Sequence, residues 1–121
     1  MITNRQKLYL MKNMYTPLLS LLTILLVACT TQTEHHDLLI QADSLMQTHP
    51  DSALQILNGI SSQQLNSKSD CAYYALLLTQ AKDKNYIIQT DDSLIRIAVQ
   101  YYDVVNNIKM RAHAHYYLGS I

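Results

Sequence analysis

Glycine, cysteine and tryptophan are scarce in these 121 residues, with two, two and none respectively, and each shortage removes a class of chemistry. Gly59 and Gly119 stand alone, so no glycine-rich loop can bring backbone N–H groups onto a phosphate, and no nucleophile elbow is present. Cys29 and Cys71 are too few for a disulfide framework. Cys71 opens the apolar run Cys71 to Leu78 and is expected to be buried as a small hydrophobe. An excess of positive charge is also missing, since the formal net charge is zero. The balance is uneven along the chain: Arg5, Lys7 and Lys12 precede the first acid, Glu34. The segment after Ala28 holds six basic and nine acidic residues, a formal charge of −3. A weakly acidic, mixed surface lacks the basic stripe that a phosphate backbone requires, so nucleic acid is not an expected partner.

The amino-terminal part has the order of a secretory leader. Met1 to Asn13 is polar and basic, and Met14 to Ala28 is apolar apart from Thr16, Pro17, Ser20 and Thr23. That apolar stretch is short of the about 20 residues a bilayer span needs. It closes on Leu26-Val27-Ala28-Cys29, an apolar residue, a β-branched one, a small one and a cysteine. This resembles the lipobox of bacterial lipoproteins. The resemblance implies cleavage between Ala28 and Cys29, a diacylglycerol on the Cys29 thiol, and usually a third acyl chain on its new amino group. Two or more lipid chains make a stable anchor where one does not. The expected organisation is a signal peptide over 1–28, a lipidated cysteine and polar tether over 29–36, and a domain over 37–121. The expected location is the cell envelope, on a bacterial membrane and facing the periplasm or the cell surface. Removal of the leader leaves 93 residues, enough for one small domain with a modest core.

Apolar periodicity predicts an all-α domain. Leu38, Leu39, Ala42, Leu45 and Met46 follow the i, i+1, i+4, i+7, i+8 pattern of one helix face, giving a first helix from about Glu34 to Gln47. Pro50 stops it and, with Asp51 and Ser52, opens a second helix whose buried stripe is Ala53, Leu54, Ile56, Leu57 and Ile60. The short connection predicts an antiparallel hairpin. A polar loop then runs to about Ser69. The segment from Asp70 to about Lys84 is apolar on every side for two turns and is expected to be the central helix. Tyr86, Ile87 and Ile88 are expected to tuck a loop onto the hairpin. Thr90-Asp91-Asp92-Ser93 opens a fourth helix with the stripe Leu94, Ile97, Ala98, Tyr101, Tyr102 and Val105. Asn106-Asn107 breaks it, and Met110, Ala114, Tyr117, Leu118 and Ile121 begin a fifth.

Ala53-Leu54-Gln55-Ile56-Leu57 aligns with Ala98-Val99-Gln100-Tyr101-Tyr102. Each has a small residue, a large apolar one four later, and another at Ile60 or Val105. This looks like helix B of a tetratricopeptide repeat, and Tyr117-Leu118-Gly119 looks like the leucine-glycine of helix A. The resemblance covers about Asp37 to Ile121 and implies antiparallel helical hairpins forming a fragment of an α-solenoid. The two small residues are 45 positions apart rather than about 34, and there is no tryptophan, so the resemblance is divergent.

No residue set reads as catalytic, and neither enzyme activity nor a cofactor is expected. His35 and His36 are adjacent and point apart, while His113 and His115 diverge by about 200° on a helix, so no metal is expected. The pairs Tyr73-Tyr74, Tyr101-Tyr102 and Tyr116-Tyr117 are the candidate partner-binding residues. Neighbours on a helix lie about 100° apart, so one of each pair can pack in the core while the other faces a groove or solvent. The expected function is a membrane-anchored module for protein–protein interaction in the cell envelope, bound to a protein or peptide. The alternative is the amino-terminal sensor part of a longer helical-repeat regulatory protein.

Overall fold

The computed structural model describes the backbone of residues 3–121 and the side chains of 3–9, 11–13 and 34–121. Its elements are α1 (Asn4–Leu45), α2 (Pro50–Gly59), a 3-10 turn (Ser62–Gln64), α3 (Lys68–Lys84), α4 (Ser93–Tyr102) and α5 (Ile108–Ser120). The chain is therefore all-helical, with no strand among the described residues. It divides into two compact units, Met1–Thr33 and Glu34–Ile121. In the first, the backbone is helical from Asn4, and Ala28 and Cys29 lie among the residues whose side chains are not described. Among the described residues, no helix is long and apolar enough to cross a membrane.

The first helix does not start near Glu34 as its apolar stripe suggests. Its backbone runs unbroken through 29–36, the stretch read as a tether, because that stretch holds neither glycine nor proline to stop a helix. It ends at Leu45, ahead of Pro50. Pro50 then sits in the first turn of α2, with Asp51 placed where the helix dipole favours a carboxylate.

In the Glu34–Ile121 unit, α3 is the central element. It packs against α2, α4 and α5, and α4 packs in turn against α5. Two buried clusters share it. Leu77, Leu78 and Ala81 join Leu39, Ala42, Met46, Ala53, Leu57, Ile60 and Leu65 on one side. Ala72, Ala75 and Leu76 join Ile95, Ala98, Tyr102, Ala114 and Tyr117 on the other. A helix buried on two faces must be apolar nearly all round, which is why its sequence shows no single stripe. Seven alanines, Ala42, Ala53, Ala72, Ala75, Ala81, Ala98 and Ala114, are wholly buried and let helix backbones approach closely. Thr79, a polar residue buried inside α3, is satisfied locally, its hydroxyl donating to Ala75 O at 2.8 Å.

Side chains cap the helices where the sequence offers them. Ser67 Oγ accepts from the Asp70 N–H at 3.0 Å, and Asn107 Oδ1 accepts from the Met110 N–H at 3.1 Å. At α4 the Asp91 carboxylate accepts from the Ser93 N–H at 2.8 Å, and Asp92 pairs with Arg96 one turn on.

The loop after α3 departs from expectation. Tyr86 and Ile88 are not tucked onto the core but are 94% and 89% exposed, and Ile87 is exposed as well. The cause is how α3 ends. Tyr86 takes a left-handed φ of 58°, the Ile87 N–H bonds Lys82 O, and the Tyr86 N–H bonds Asp83 O. That is the Schellman pattern, usually closed by glycine, and it turns the next side chains outward. The loop is held instead by Gln89, whose amide donates to Thr79 O at 3.1 Å. A second difference is Leu65, which is buried although it lies in a run of polar residues.

Candidate functional site

Three contacts locate the two ends of α3 within the Glu34–Ile121 unit. His36 Nδ1 lies 2.8 Å from Asp70 Oδ1, which puts the entry of the chain beside the first turn of α3. At the other end of α3, Lys84 donates to Gln47 Oε1 at 3.1 Å and Asn85 donates to Pro50 O at 2.9 Å. The start of α3, the end of α4 and the start of α5 meet at the first of these ends. There they frame a groove of about 370 Å³ lined by Tyr73, Tyr101, Tyr102, Val105, Asn106, Asn107, Met110 and Ser69.

Three of the six candidate tyrosines thus come together, and their environments differ. Tyr73 is half-buried and its hydroxyl donates to the Asp43 carboxylate. Burial, then that hydrogen bond, then the nearby negative charge hold the Tyr73 hydroxyl protonated well above the ordinary phenol range. Tyr102 is buried, and its hydroxyl is pushed up to about 12, by burial first and then by Tyr101, Asp43 and Asp70. Tyr101 stands edge-on to Tyr102, with ring centroids 5.2 Å apart and planes at 78°. It is half-buried and also lines a second, mostly apolar groove of about 400 Å³, with Lys68, Cys71, Ile97 and Val104. Tyr101 is therefore the wall between two adjoining grooves. The neutral phenols can pack against apolar or cationic side chains of a ligand, while the Asn106 amide supplies hydrogen-bonding groups beside them.

The other three tyrosines lie elsewhere. Tyr74 packs half-buried on the cluster of Leu57 and Leu77, and burial raises its hydroxyl. Tyr117 is buried beside Ala114, also with a hydroxyl raised by burial, and Tyr116 stands edge-on to it at 5.0 Å and is 66% exposed. In the pairs on α4 and α5 one ring is in the core and its neighbour faces outward, as the 100° step requires; Tyr102 and Tyr117 have little surface to offer a partner.

Cys71 is free and half-buried, with its thiol donating to Leu65 O at 3.4 Å. His36 and His115 each contact one aspartate, Asp70 and Asp103, and among the described residues no three His, Cys, Asp or Glu side chains come together as a metal set. Sequence reasoning missed Asn106 and Asn107 as groove residues, reading them only as a helix break. It also read Ile97 as part of the buried stripe, although Ile97 is 45% exposed and lines the second groove with Tyr101 and with Val104 in the turn after α4. No family model, curated protein or solved structure matches this chain.

Proposed function

We propose that this chain is a lipoprotein held to a bacterial membrane through Cys29, and that its helical unit binds another envelope protein or a peptide. The observation that carries the binding part is the groove framed by α3, α4 and α5, in which Tyr73, Tyr101 and Tyr102 meet. Tyrosine offers large, rigid contact area with a polar tip at small entropic cost, which suits protein recognition. The anchor part rests on Leu26-Val27-Ala28-Cys29 and the leader before it.

Tetratricopeptide-like hairpins are the proposed architecture. In its support, α3 packs on its chain neighbours α2 and α4 and also on α5, the next helix but one, as stacked helix pairs do. The α2 and α4 stripes further agree in burial at each aligned position from Ala53 to Leu57 and from Ala98 to Tyr102.

Radioactive palmitate tests the anchor. Label is expected on the wild type and absent from Cys29→Ala, and label that survives that substitution counts against the lipoprotein reading. Affinity capture with the acylated protein tests the groove. Tyr101→Ala is expected to lose at least half of whatever the wild type enriches, while Tyr74→Ala keeps it. Equal recovery with Tyr101→Ala removes the groove from the reading.

A further inference from the structure

We infer that the groove framed by α3, α4 and α5 takes an arginine side chain of the partner protein, held against the Tyr73 and Tyr101 rings under the negative charge of Asp43 and Asp70. This deepens the proposed binding role and rests on it. No side chain lining the groove is charged, but carboxylates stand next to those that do. Asp43 accepts the Tyr73 hydroxyl, and Asp70 follows the lining residue Ser69 and lies 2.8 Å from His36. Accepting a hydrogen bond leaves the charge of a carboxylate in place. That charge is felt in the groove: behind burial, the first cause, Asp43 raises the Tyr73 and Tyr102 hydroxyls, and Asp70 also raises that of Tyr102. The Asp70 side chain is only 14% exposed, so water and salt screen it little. Glu34 and Asp37, at the end where the chain enters, are exposed carboxylates with no ion pair among the described residues.

The cations of the same end lie to the side. Lys68 lines the adjoining groove and not this one. Lys109 and Arg111 flank Met110, the α5 residue that lines the groove, and each is turned about 100° away from it round the helix. An acidic partner would therefore meet Asp43 and Asp70 behind the tyrosines and no cation in the lining. A neutral phenol carries negative potential on its ring face, which attracts a cation within about 6 Å of the ring centre. Both rings are set before a ligand arrives, Tyr101 edge-on to Tyr102 at 5.2 Å and Tyr73 by its bond to Asp43, so little ordering is left to oppose binding. A guanidinium is planar, stacks on such a ring and keeps N–H donors for the Asn106 carbonyl and the Ser69 hydroxyl in the same lining. The quaternary ammonium of a choline headgroup has no donor to offer them, which favours a protein side chain over a lipid.

Nuclear magnetic resonance of the whole protein in a non-ionic detergent, with isotope-labelled tyrosine rings, tests this. The probes are the blocked tripeptide Gly-Arg-Gly, the same peptide with citrulline or glutamate at its centre, and phosphocholine. The arginine peptide is expected to shift the Tyr73 and Tyr101 rings, to leave Tyr74 and Tyr86 unmoved, and to bind several-fold tighter than the citrulline peptide, which has nearly the same shape without the charge. Asp43→Asn keeps an oxygen that can accept the Tyr73 hydroxyl and is expected to reduce that preference several-fold. Tyr101→Leu is expected to weaken the arginine peptide several-fold where Tyr101→Phe keeps it, with far-ultraviolet circular dichroism unchanged. Equal binding of the arginine and citrulline peptides overturns the proposal and leaves the groove as a peptide site. So does an arginine preference that Asp43→Asn and Tyr101→Leu leave intact. Tighter binding of the glutamate peptide would assign the groove to an acidic partner, tighter binding of phosphocholine to a lipid headgroup, and either overturns the proposal. Absence of any ring shift with every probe at tens of millimolar also overturns it, while recovery with Tyr101→Ala in the capture experiment decides the binding role separately.

Discussion

Ala53 in α2 and Ala98 in α4 are both wholly buried, and four residues later Leu57 and Tyr102 are buried on the same inner side. Between them Leu54 and Val99 are half-buried, Gln55 and Gln100 exposed, and Ile56 and Tyr101 half-buried again. The inner faces of the two helices are thus equivalent at a constant offset. Their outer faces are not. Where α4 and the turn after it present Ile97, Tyr101 and Val104, α2 has Ser52, Ile56 and Gly59 at the matching positions. The inner pattern is imposed by α3, against which both helices pack, and the outer one is free of that demand. Tyr101, like Ile56, still packs partly on a buried cluster, whereas Ile97 and Val104 belong to neither, so packing within the unit does not account for those two.

Truncating the matched large residues is the strongest way to break the equivalence. Leu57→Ala and Tyr102→Ala each remove a buried side chain from one of the two clusters that share α3, and each is expected to cost about 3 kcal/mol. Urea unfolding in mild detergent measures this. A loss below ~1 kcal/mol at one position and not the other would mean that the two inner faces are not alike. Filling the small positions comes next. Ala53→Leu and Ala98→Leu insert volume where helix backbones approach, at an expected cost of about 1–3 kcal/mol each.

The inner faces were legible in the sequence because burial against one neighbour leaves a 3.6-residue apolar rhythm, and Ala53, Leu57, Ala98 and Tyr102 keep it. The place of α3 was legible for the opposite reason, since an unbroken apolar run from Cys71 to Leu78 needs cover on more than one side. Apolar letters read without the backbone misled. Ile87 and Ile88 look like core residues, but the left-handed turn at Tyr86 sends them into solvent. Leu65 looks like loop and is buried, because its position depends on contacts with residues distant in sequence. The tyrosine pairs announced that one ring of a pair could face in and the other out. Which one did so, and that Tyr73 would meet Tyr101 and Tyr102 in one groove, depended on how α3, α4 and α5 are placed.

Alkaline pH separates the matched positions Leu57 and Tyr102 without changing the packing, since only the second ionises. An unfolded tyrosine loses its proton near pH 10, whereas Tyr102 keeps it to about 12 in the fold. Between these values the unfolded state binds fewer protons than the native state, so stability is complete below pH 10 and declines as pH rises through about 12. Tyr102→Phe is expected to make that decline shallower and to leave stability at pH 7 almost unchanged. Part of the decline persists, because the Tyr73, Tyr74 and Tyr117 hydroxyls are also raised. Urea midpoints at pH 8, 10 and 11 read the slope. A Tyr102→Phe curve parallel to the wild type would show that this hydroxyl is not desolvated in solution.

The smallest expected change in stability is at the outer face, and it sharpens the comparison most. Ile97→Ser places on α4 the residue that α2 carries at the matching position, and Val104→Ser removes the most exposed aliphatic of the stripe. Neither side chain belongs to a buried cluster, so each substitution is expected to change the unfolding free energy by no more than about 0.5 kcal/mol. If α2 and α4 differ only in what they show to the outside, the doubly substituted protein keeps its fold and its stability. A stability loss above ~1 kcal/mol would place Ile97 and Val104 in the packing of the unit, and the contrast between the two outer faces would then describe a difference in core size instead of a difference in surface role.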